Sequence, residues 1–300
     1  MNKNILIIGA LGQDGKLLSK ILIKKKYNII GCIKKKKYKN KIKKVIYKGI
    51  NLNNKKQVIE IIKKYNPSTV IHFGSENPSY INKKKKSLFY KKNYKSSKNL
   101  IDCINDLNPK IHFIFANSSN IFLKRNKNKY NEKDKFSAND DYSKFRIKIY
   151  RYLQKLNFNN NFRYTNLILF NHDSALRNKK FLLPRIVKAI KEKNENFLNN
   201  IYKENIIKDF SHAEDICNAI YLLIRKNVNL DNLILSSSKK TKINSIIDYL
   251  LRKYNSSIKI TSTPQKNKNF IIGDNKLAKN ILNWKPSKNI FIAADEIYNK

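Results

Sequence analysis

Apolar positions along this chain form short continuous runs, and between them come stretches in which apolar residues recur every three or four positions. The first run is Asn4-Ile5-Leu6-Ile7-Ile8, and Leu18, Ile21 and Leu22 follow it at helical spacing. Runs of the first kind predict buried strands at 29–33, 45–47, 69–73, 111–116 and 165–170. The periodic stretches predict helices at 55–65, up to about 106, and at about 142–156. Repeated strand–helix alternation predicts an α/β fold built on a doubly wound parallel sheet. Beyond residue 170 the pattern loosens into shorter helices. That part is expected to form a smaller lobe over the carboxyl ends of the strands, where such sheets bind ligands. With no internal repeat and no Pro/Gly-rich linker in view, the two parts are expected to interleave.

Between the first strand and the first helix stands Gly9-Ala10-Leu11-Gly12-Gln13-Asp14-Gly15. At this spacing the first glycine permits a tight turn, the second lets backbone approach a pyrophosphate, and the third lets helix and strand pack closely. The helix N-terminus then offers N–H groups to the phosphates. A glycine triplet alone also fits an ordinary loop, but here a strand precedes it and an amphipathic helix follows. The reading is a dinucleotide site at Gly9, Gly12, Gln13, Asp14 and Gly15. Residues 1–170 are accordingly expected to be a Rossmann-type dinucleotide-binding domain, its sheet completed by parts of 205–240. Residues 171–300 are expected to be mostly substrate-binding lobe. At the end of the second strand, where an acidic residue would hold the ribose 2′-hydroxyl of NAD, stand Lys34, Lys35, Lys36 and Lys37. Cations there suit the extra phosphate of NADP. A solvated loop in a lysine-rich chain would look the same, so NAD stays open. Asn51 lies after the third strand, where an adenine-contacting residue often sits.

Composition adjusts this picture only slightly. A chain of 300 residues with 41% hydrophobic content can bury an enzyme-sized core. Its formal charge of +43, from 64 basic and 21 acidic residues, would ordinarily suggest nucleic acid or an anionic membrane. Lysine, asparagine and isoleucine are enriched throughout, however, and only 34–37 and 83–86 form runs of four lysines. Neither a specific nucleic acid nor a membrane is therefore expected as partner. Cys32, Cys103 and Cys217 are few, scattered and odd in number, so neither a metal cluster nor a disulfide framework is expected. No apolar stretch reaches the ~18 to 20 residues of a bilayer span. A soluble protein in reducing cytoplasm is the expectation.

A second constellation joins Ser118, just beyond the strand at 111–116, to Tyr142 and Arg146 on a helix. Four residues is one turn, so the tyrosine and the cation share a face. A cation beside a phenol favours its anion, which suits proton exchange with a sugar hydroxyl or carbonyl, while the serine orients the same oxygen. These three are the candidate catalytic residues. Tyr142 and Arg146 also count as cofactor contacts.

Here the chain resembles the extended short-chain dehydrogenase/reductase family, and within it the nucleotide-sugar enzymes of the GDP-mannose 4,6-dehydratase group. The glycine turn carries that group's Gln-Asp pair, and residues 93–100 resemble its Asn-containing helix. Leu169-Phe170-Asn171-His172-Asp173-Ser174, with Arg177, Phe181 and Arg185-Ile186, is similar to its Phe-Asn-His-Glu-Ser segment and the following helix. Asp209-Phe210-Ser211-His212-Ala213-Glu214-Asp215 resembles its Arg-Asp-Trp-x-His-Ala-x-Asp element, with Lys208 in the arginine position. Gly273-Asp274 and Leu282-Asn283-Trp284-Lys285-Pro286 resemble its C-terminal signature. The resemblance implies a nucleotide-sugar substrate such as GDP-mannose, NADP as cofactor, and a homodimer or homotetramer. Asn171, Arg177 and Arg185 are expected to contact the nucleotide diphosphate or sugar, since arginine forks match phosphate oxygens. His212 and Asp215 are expected to be a helix-entry element, and Trp284 to serve packing.

The resemblance further implies that Tyr142 takes the sugar 4-hydroxyl proton, that hydride passes to NADP, and that water leaves across C5 and C6. The family places a glutamate base two residues after its active-site serine or threonine; this chain has Asn120. An amide cannot accept that proton at neutral pH. Arg146 replaces the usual lysine, keeping the charge on a wider planar fork. Gly74-Ser75-Glu76-Asn77 replaces the turn where the family has glutamine, which makes Glu76 a candidate substitute base. Three expectations follow: a dehydratase, a non-dehydrating 4-keto-sugar reductase or epimerase, and a catalytically weak homologue that binds nucleotide sugar.

Overall fold

The structure, a computed structural model, describes residues 3–34, 42–74, 86–122, 127, 129–138, 140–267 and 269–300. Strand β1 (Asn4–Ile8) divides its side chains between two cores, because successive residues of a strand point to opposite faces. Ile5 and Ile7 enter one core and Leu6 and Ile8 the other, all essentially buried. The central sheet adds β2 (Asn28–Ile33), β3 (Val45–Gly49), β4 (Thr69–His72), β5 (His112–Ser118), β6 (Tyr164–Leu169) and a strand from the later half, Leu230–Leu235. Its spatial order is β3, β2, β1, β4, β5, β6 and then the 230–235 strand, and every pairing is parallel. The strand order reverses between β1 and β4, so the crevice beside the glycine turn lies at a topological switch point, where such sheets bind ligands.

Helices α1 (Gln13–Lys24), α2 (Lys55–Tyr65), α3 (Lys86–Leu107) and α4 (Asp141–Asn160) cover the sheet with stripes read directly from the apolar periodicity. Val58, Ile61 and Ile62 of α2 share one core with Leu100, Ile101 and Ile104 of α3 and Ile149 and Leu153 of α4. Leu18 and Leu22 of α1 build the other. Each side chain of this kind contributes about 1.5–3 kcal/mol by leaving water. Strand β5 runs to Ser118, so Ser118 ends the strand rather than following it; Asn117 is accommodated because its amide donates to the Asn166 Oδ1 at 2.8 Å. Helix α4 also runs four residues beyond the predicted end at 156, until Asn161 stops it in the left-handed region at φ 52°. Asn66, Asn205, Asn227 and Asn283 end other helices in the same way. Asparagine tolerates this conformation better than other side-chain-bearing residues, so a chain with only seven glycines still stops its helices cleanly.

After β6 the chain builds β7 (Asn171–Asp173), α5 (Leu182–Lys191), α6 (Glu195–Glu204), β8 (Ile207–His212), α7 (Ala213–Lys226), β9 (Leu230–Leu235), β10 (Lys240–Lys242), α8 (Ile243–Lys253), α9 (Lys276–Leu282) and α10 (Ile290–Tyr298). These elements divide. β9 extends the central sheet, and α7 and α9 pack with α1 on one of its faces. α5, α6, α8 and α10 enclose a separate core around Leu183, Ile186, Ile246, Ile247 and Leu250, beside a small sheet ordered β10, β8, β7. β7 pairs in parallel with β8, and β10 in antiparallel. Among the described residues no helix is long and apolar enough to cross a membrane.

Two buried carboxylates stitch these parts together. Asp215, in the first turn of α7, accepts from Ser287 N at 2.9 Å, Ser287 Oγ at 2.8 Å and Lys288 N at 2.7 Å, while the Trp284 indole donates to its carbonyl at 3.1 Å. His212 is the N-cap, its Nδ1 accepting from Glu214 N at 3.2 Å. Asp209 in β8 is fully buried and accepts from Ser237 N and Oγ on one oxygen and from Ser238 N and Gly273 N on the other. Burial pushes its carboxyl up to about 6 despite those four donors. Asp209→Asn would turn an amide nitrogen toward at least one backbone N–H donor and should cost about 1–3 kcal/mol, read as a lower urea midpoint at pH 7.

Candidate active site

The turn from β1 to α1 is as tight as its glycines allow. Gly9 sits at φ +84°, and a Cβ there would stand 3.1 Å from Gly74 Cα in the turn after β4. A Cβ on Gly15 would meet the Gly9 carbonyl at 2.5 Å and Ala10 Cα at 2.7 Å, both backbone. Gly12 is the N-cap of α1 and supplies no side-chain cap, so first-turn N–H groups are left for an outside acceptor. A diphosphate fits this cradle. The turn after β4 is shaped by a residue that sequence reasoning missed. Buried His72 accepts from Gly74 N at Nδ1, at 3.2 Å, and therefore carries its proton on Nε2, which donates to Ser97 Oγ at 3.0 Å. Burial, aided by the Arg146 charge, pushes this imidazole down to about 3 and keeps it neutral. Its only signal in the sequence was a polar residue at the end of an otherwise apolar strand.

The side chains of Gln13 and Asp14 turn toward β7. Gln13 Nε2 donates to the His172 carbonyl at 3.2 Å and to Asp14 Oδ1 at 3.0 Å, and its Oε1 accepts from Ser174 Oγ at 3.1 Å. Asp14 Oδ1 lies 3.1 Å from His172 Nε2. Burial alone would raise the Asp14 carboxyl, but the His172 charge and hydrogen bond, with Arg177, bring it down to about 2. Burial works against the charged His172 ring, yet Asp14 outweighs it and moves the imidazole upward. The Gln-Asp pair and the His-x-Ser segment, 160 positions apart in the chain, are thus two halves of one contact.

Of the remaining residues expected near a cofactor, Asn51 is exposed and builds the turn into α2, its Oδ1 accepting from Asn53 N at 3.0 Å. Lys34 is exposed at the end of β2. Lys35, Lys36, Lys37 and Glu76 lie outside the described residues.

A chain of hydrogen bonds through Asn120 links Ser118 to Ser143, the residue after Tyr142. Asp140 caps α4 by accepting from Ser143 N at 2.7 Å, which sets Tyr142 in the first turn. Ser143 Oγ donates to the Asn120 carbonyl at 2.9 Å, and Asn120 N donates to Ser118 Oγ at 3.3 Å. Asn120 itself is exposed. One turn along α4, buried Arg146 donates from Nη1 to the Ala116 carbonyl, and its guanidinium lies 4.4 Å from the centre of the Tyr142 ring. The fork stacks on the ring face, an arrangement a lysine ammonium would not reproduce.

In the segment after β6, Asn171 is exposed and its Nδ2 donates to the Asp209 carbonyl at 3.4 Å. Arg177 pairs with buried Asp173 at 2.6 Å and stacks 3.6 Å over the Phe181 ring. Arg185 is exposed on α5, its guanidinium 4.9 Å from the Phe197 ring centre on α6. Asn171 and Arg177 therefore adjoin the glycine turn through His172 and Asp173, while Arg185 stands farther along the lobe. Among the described residues no group of His, Cys, Asp and Glu is arranged to hold a metal ion.

The sequence profile of the family described as GDP-mannose 4,6 dehydratase matches residues 6–296. No curated protein sequence matches the chain. Among solved structures, a UDP-glucose 4-epimerase from Thermotoga maritima, crystallised with UDP-glucose, superposes with TM-score 0.84 at 16% identity, covering 99% of this chain and 97% of that one. A dTDP-glucose 4,6-dehydratase from Bacillus anthracis in complex with NAD gives 0.81 at 15% identity, with 99% and 95% covered. A UDP-glucose 4-epimerase from Bifidobacterium longum with NAD+ and UDP gives 0.82 at 15%, with 99% and 97% covered. At these identities the likeness establishes a shared fold.

The Asp14 carboxyl lies below its unfolded value of 3.8, so its contribution to stability is present above that pH and is lost as pH falls toward 2. Asp14→Asn should lack this contribution, about 2 kcal/mol. In urea titrations the gap between wild type and variant should be full at pH 6 and narrow between pH 4 and pH 2.

Proposed function

The chain belongs to the GDP-mannose 4,6 dehydratase family, and from that premise we propose that it oxidises C4 of a nucleotide-linked hexose, with GDP-mannose the first substrate to try. The observation that supports this reading is the hydrogen-bonded link from Ser118 through Asn120 to Ser143, the neighbour of Tyr142, with Arg146 stacked on the tyrosine ring. Backbone N–H groups of residues 13–15 would receive the diphosphate of a nicotinamide dinucleotide, and Lys34 and Asn51 lie toward its adenosine end. The cations from Lys34 onward favour NADP, while the relatives described above hold NAD. When bound, the dinucleotide supplies hydride exchange at the sugar carbon.

The chain's own groups do the rest. Ser118 Oγ already accepts a hydrogen bond from Asn120 N, so its own hydrogen is available to the sugar O4. Tyr142, as its anion, takes the O4 proton while the C4–H bond gives up hydride, leaving a 4-ketone. Arg146, stacked on the ring and bonded to the Ala116 carbonyl, holds the tyrosine in position. Both steps reverse when hydride returns to C4.

The fate of the ketone turns on residue 120. Loss of water across C5 and C6 needs a base at C5, and an amide provides none. Return of hydride, as in an epimerase or a 4-keto-sugar reductase, requires only Ser118, Tyr142 and Arg146, and is the reading we favour. Dehydration is the second reading, supported by the family match over 6–296.

Tyr142→Phe should lower nicotinamide reduction about 10²–10⁴-fold while leaving NADPH affinity nearly intact; retained turnover would remove the tyrosine from its role. Incubation with GDP-mannose and NADP, followed by mass for loss of water, separates the two readings. Wild type should give no dehydrated sugar, and Asn120→Glu should begin to form it.

A further inference from the structure

The contact between α1 and β7 carries charges that the reaction does not use. His172 Nδ1 faces the Phe170 carbonyl at 2.6 Å, and its Nε2 faces the Asp14 carboxylate at 3.1 Å. Both partners only accept, so both ring nitrogens are donors and the ring is an imidazolium. The pair is nearly sealed, with side-chain exposures of 8% for His172 and 18% for Asp14. Close by, Arg177 pairs with Asp173, whose carboxyl burial pushes up to about 6, so the two pairs make a neutral group above that pH. The other polar neighbours of Asp14 are uncharged: the Gln13 amide and the Cys217 thiol, which burial holds well above its usual range and which donates to the Asp14 carbonyl. Beyond this group Glu296 accepts from Ala175 N and pairs with His212, and Lys300 donates to the Ala175 carbonyl.

Asp14 is the second residue of α1. In a helix's first turn a carboxylate favours the helix dipole, but it also repels any second anion brought to the same N–H groups. A diphosphate seat with an uncompensated aspartate in its first turn would oppose its own ligand. We infer that His172 is a positioning residue: its imidazolium cancels the Asp14 carboxylate beside the diphosphate seat and holds residues 171–174 against the glycine turn. This rests on the dinucleotide reading of that turn and is independent of which sugar is used. His172 touches no dinucleotide and acts through Asp14. The β7 segment that leads to the sugar lobe thereby completes the electrostatics of the cofactor seat.

The test is titration of the full chain with NADPH and NADH, followed by nicotinamide fluorescence at about pH 6, where a paired imidazolium persists. His172→Gln keeps a hydrogen-bond donor and removes the charge. It should weaken binding about tenfold at low salt, and the loss should shrink in ~1 M salt as the carboxylate is screened. Adding Asp14→Asn to that variant removes the stranded charge and should restore affinity to within about threefold of wild type. Asp14→Asn alone keeps the backbone N–H that faces the diphosphate and removes only the side-chain charge, so it should bind more tightly than His172→Gln and no more weakly than wild type. A merely structural His172 would give a double variant at least as weak as His172→Gln, and that result overturns the proposal, as does unchanged binding by His172→Gln. If His172→Gln does not fold, weaker binding by Asp14→Asn alone overturns it. A wild-type protein that binds neither NADPH nor NADH overturns the dinucleotide reading itself, an outcome distinct from the others.

Discussion

Backbone approaches backbone at the β1–α1 turn more closely than any side chain would allow, and the site is arranged around that contact. With Gly15 against the Gly9 carbonyl and Gly9 against Gly74, the first turn of α1 is driven down onto the carboxyl ends of β1 and β4. The open N-terminus of α1 then faces the crevice at the switch in strand order. Neutral His72 holds the facing turn in place through Gly74, so both walls of the crevice are set by short backbone contacts rather than by long flexible side chains.

The lobe beyond β6 is tied to this centre by polar stitches. The lysine-rich surface contributes few strong bonds, since exposed ion pairs such as Lys55–Asp106 are worth little. Asp209, Asp215 and the Asp14–His172 pair instead bury carboxylates against several donors each, where the cost of losing a partner is high. All three lie in segments that also carry the family resemblance.

Two positions in the proposed catalytic constellation, 146 and 120, differ from the residues the family resemblance implies, and the structure treats them differently. Arg146 is built into the protein: it is buried, bonded to the Ala116 carbonyl and stacked on Tyr142. Asn120 links Ser118 to Ser143 through its backbone, while its side chain is an exposed amide. The backbone link between Ser118 and Ser143 therefore does not depend on which side chain stands at position 120.

Period-two and period-3.6 apolar patterns settled the alternation of strands and helices, because those patterns record which face of each element leaves water. The glycine spacing settled the turn, because only a missing Cβ permits that approach. The helix from 142 onward put Tyr142 and Arg146 on one face, since four residues make one turn. Sequence pattern alone left open that Gln13 and Asp14 point their side chains at His172 and Ser174, that Arg177 is spent on Asp173, and that His72 sits neutral against Gly74. These are contacts between residues far apart in the chain or set by depth of burial, and no local periodicity encodes them. They were decided when β7 docked on α1 and when burial outweighed the charge of a histidine.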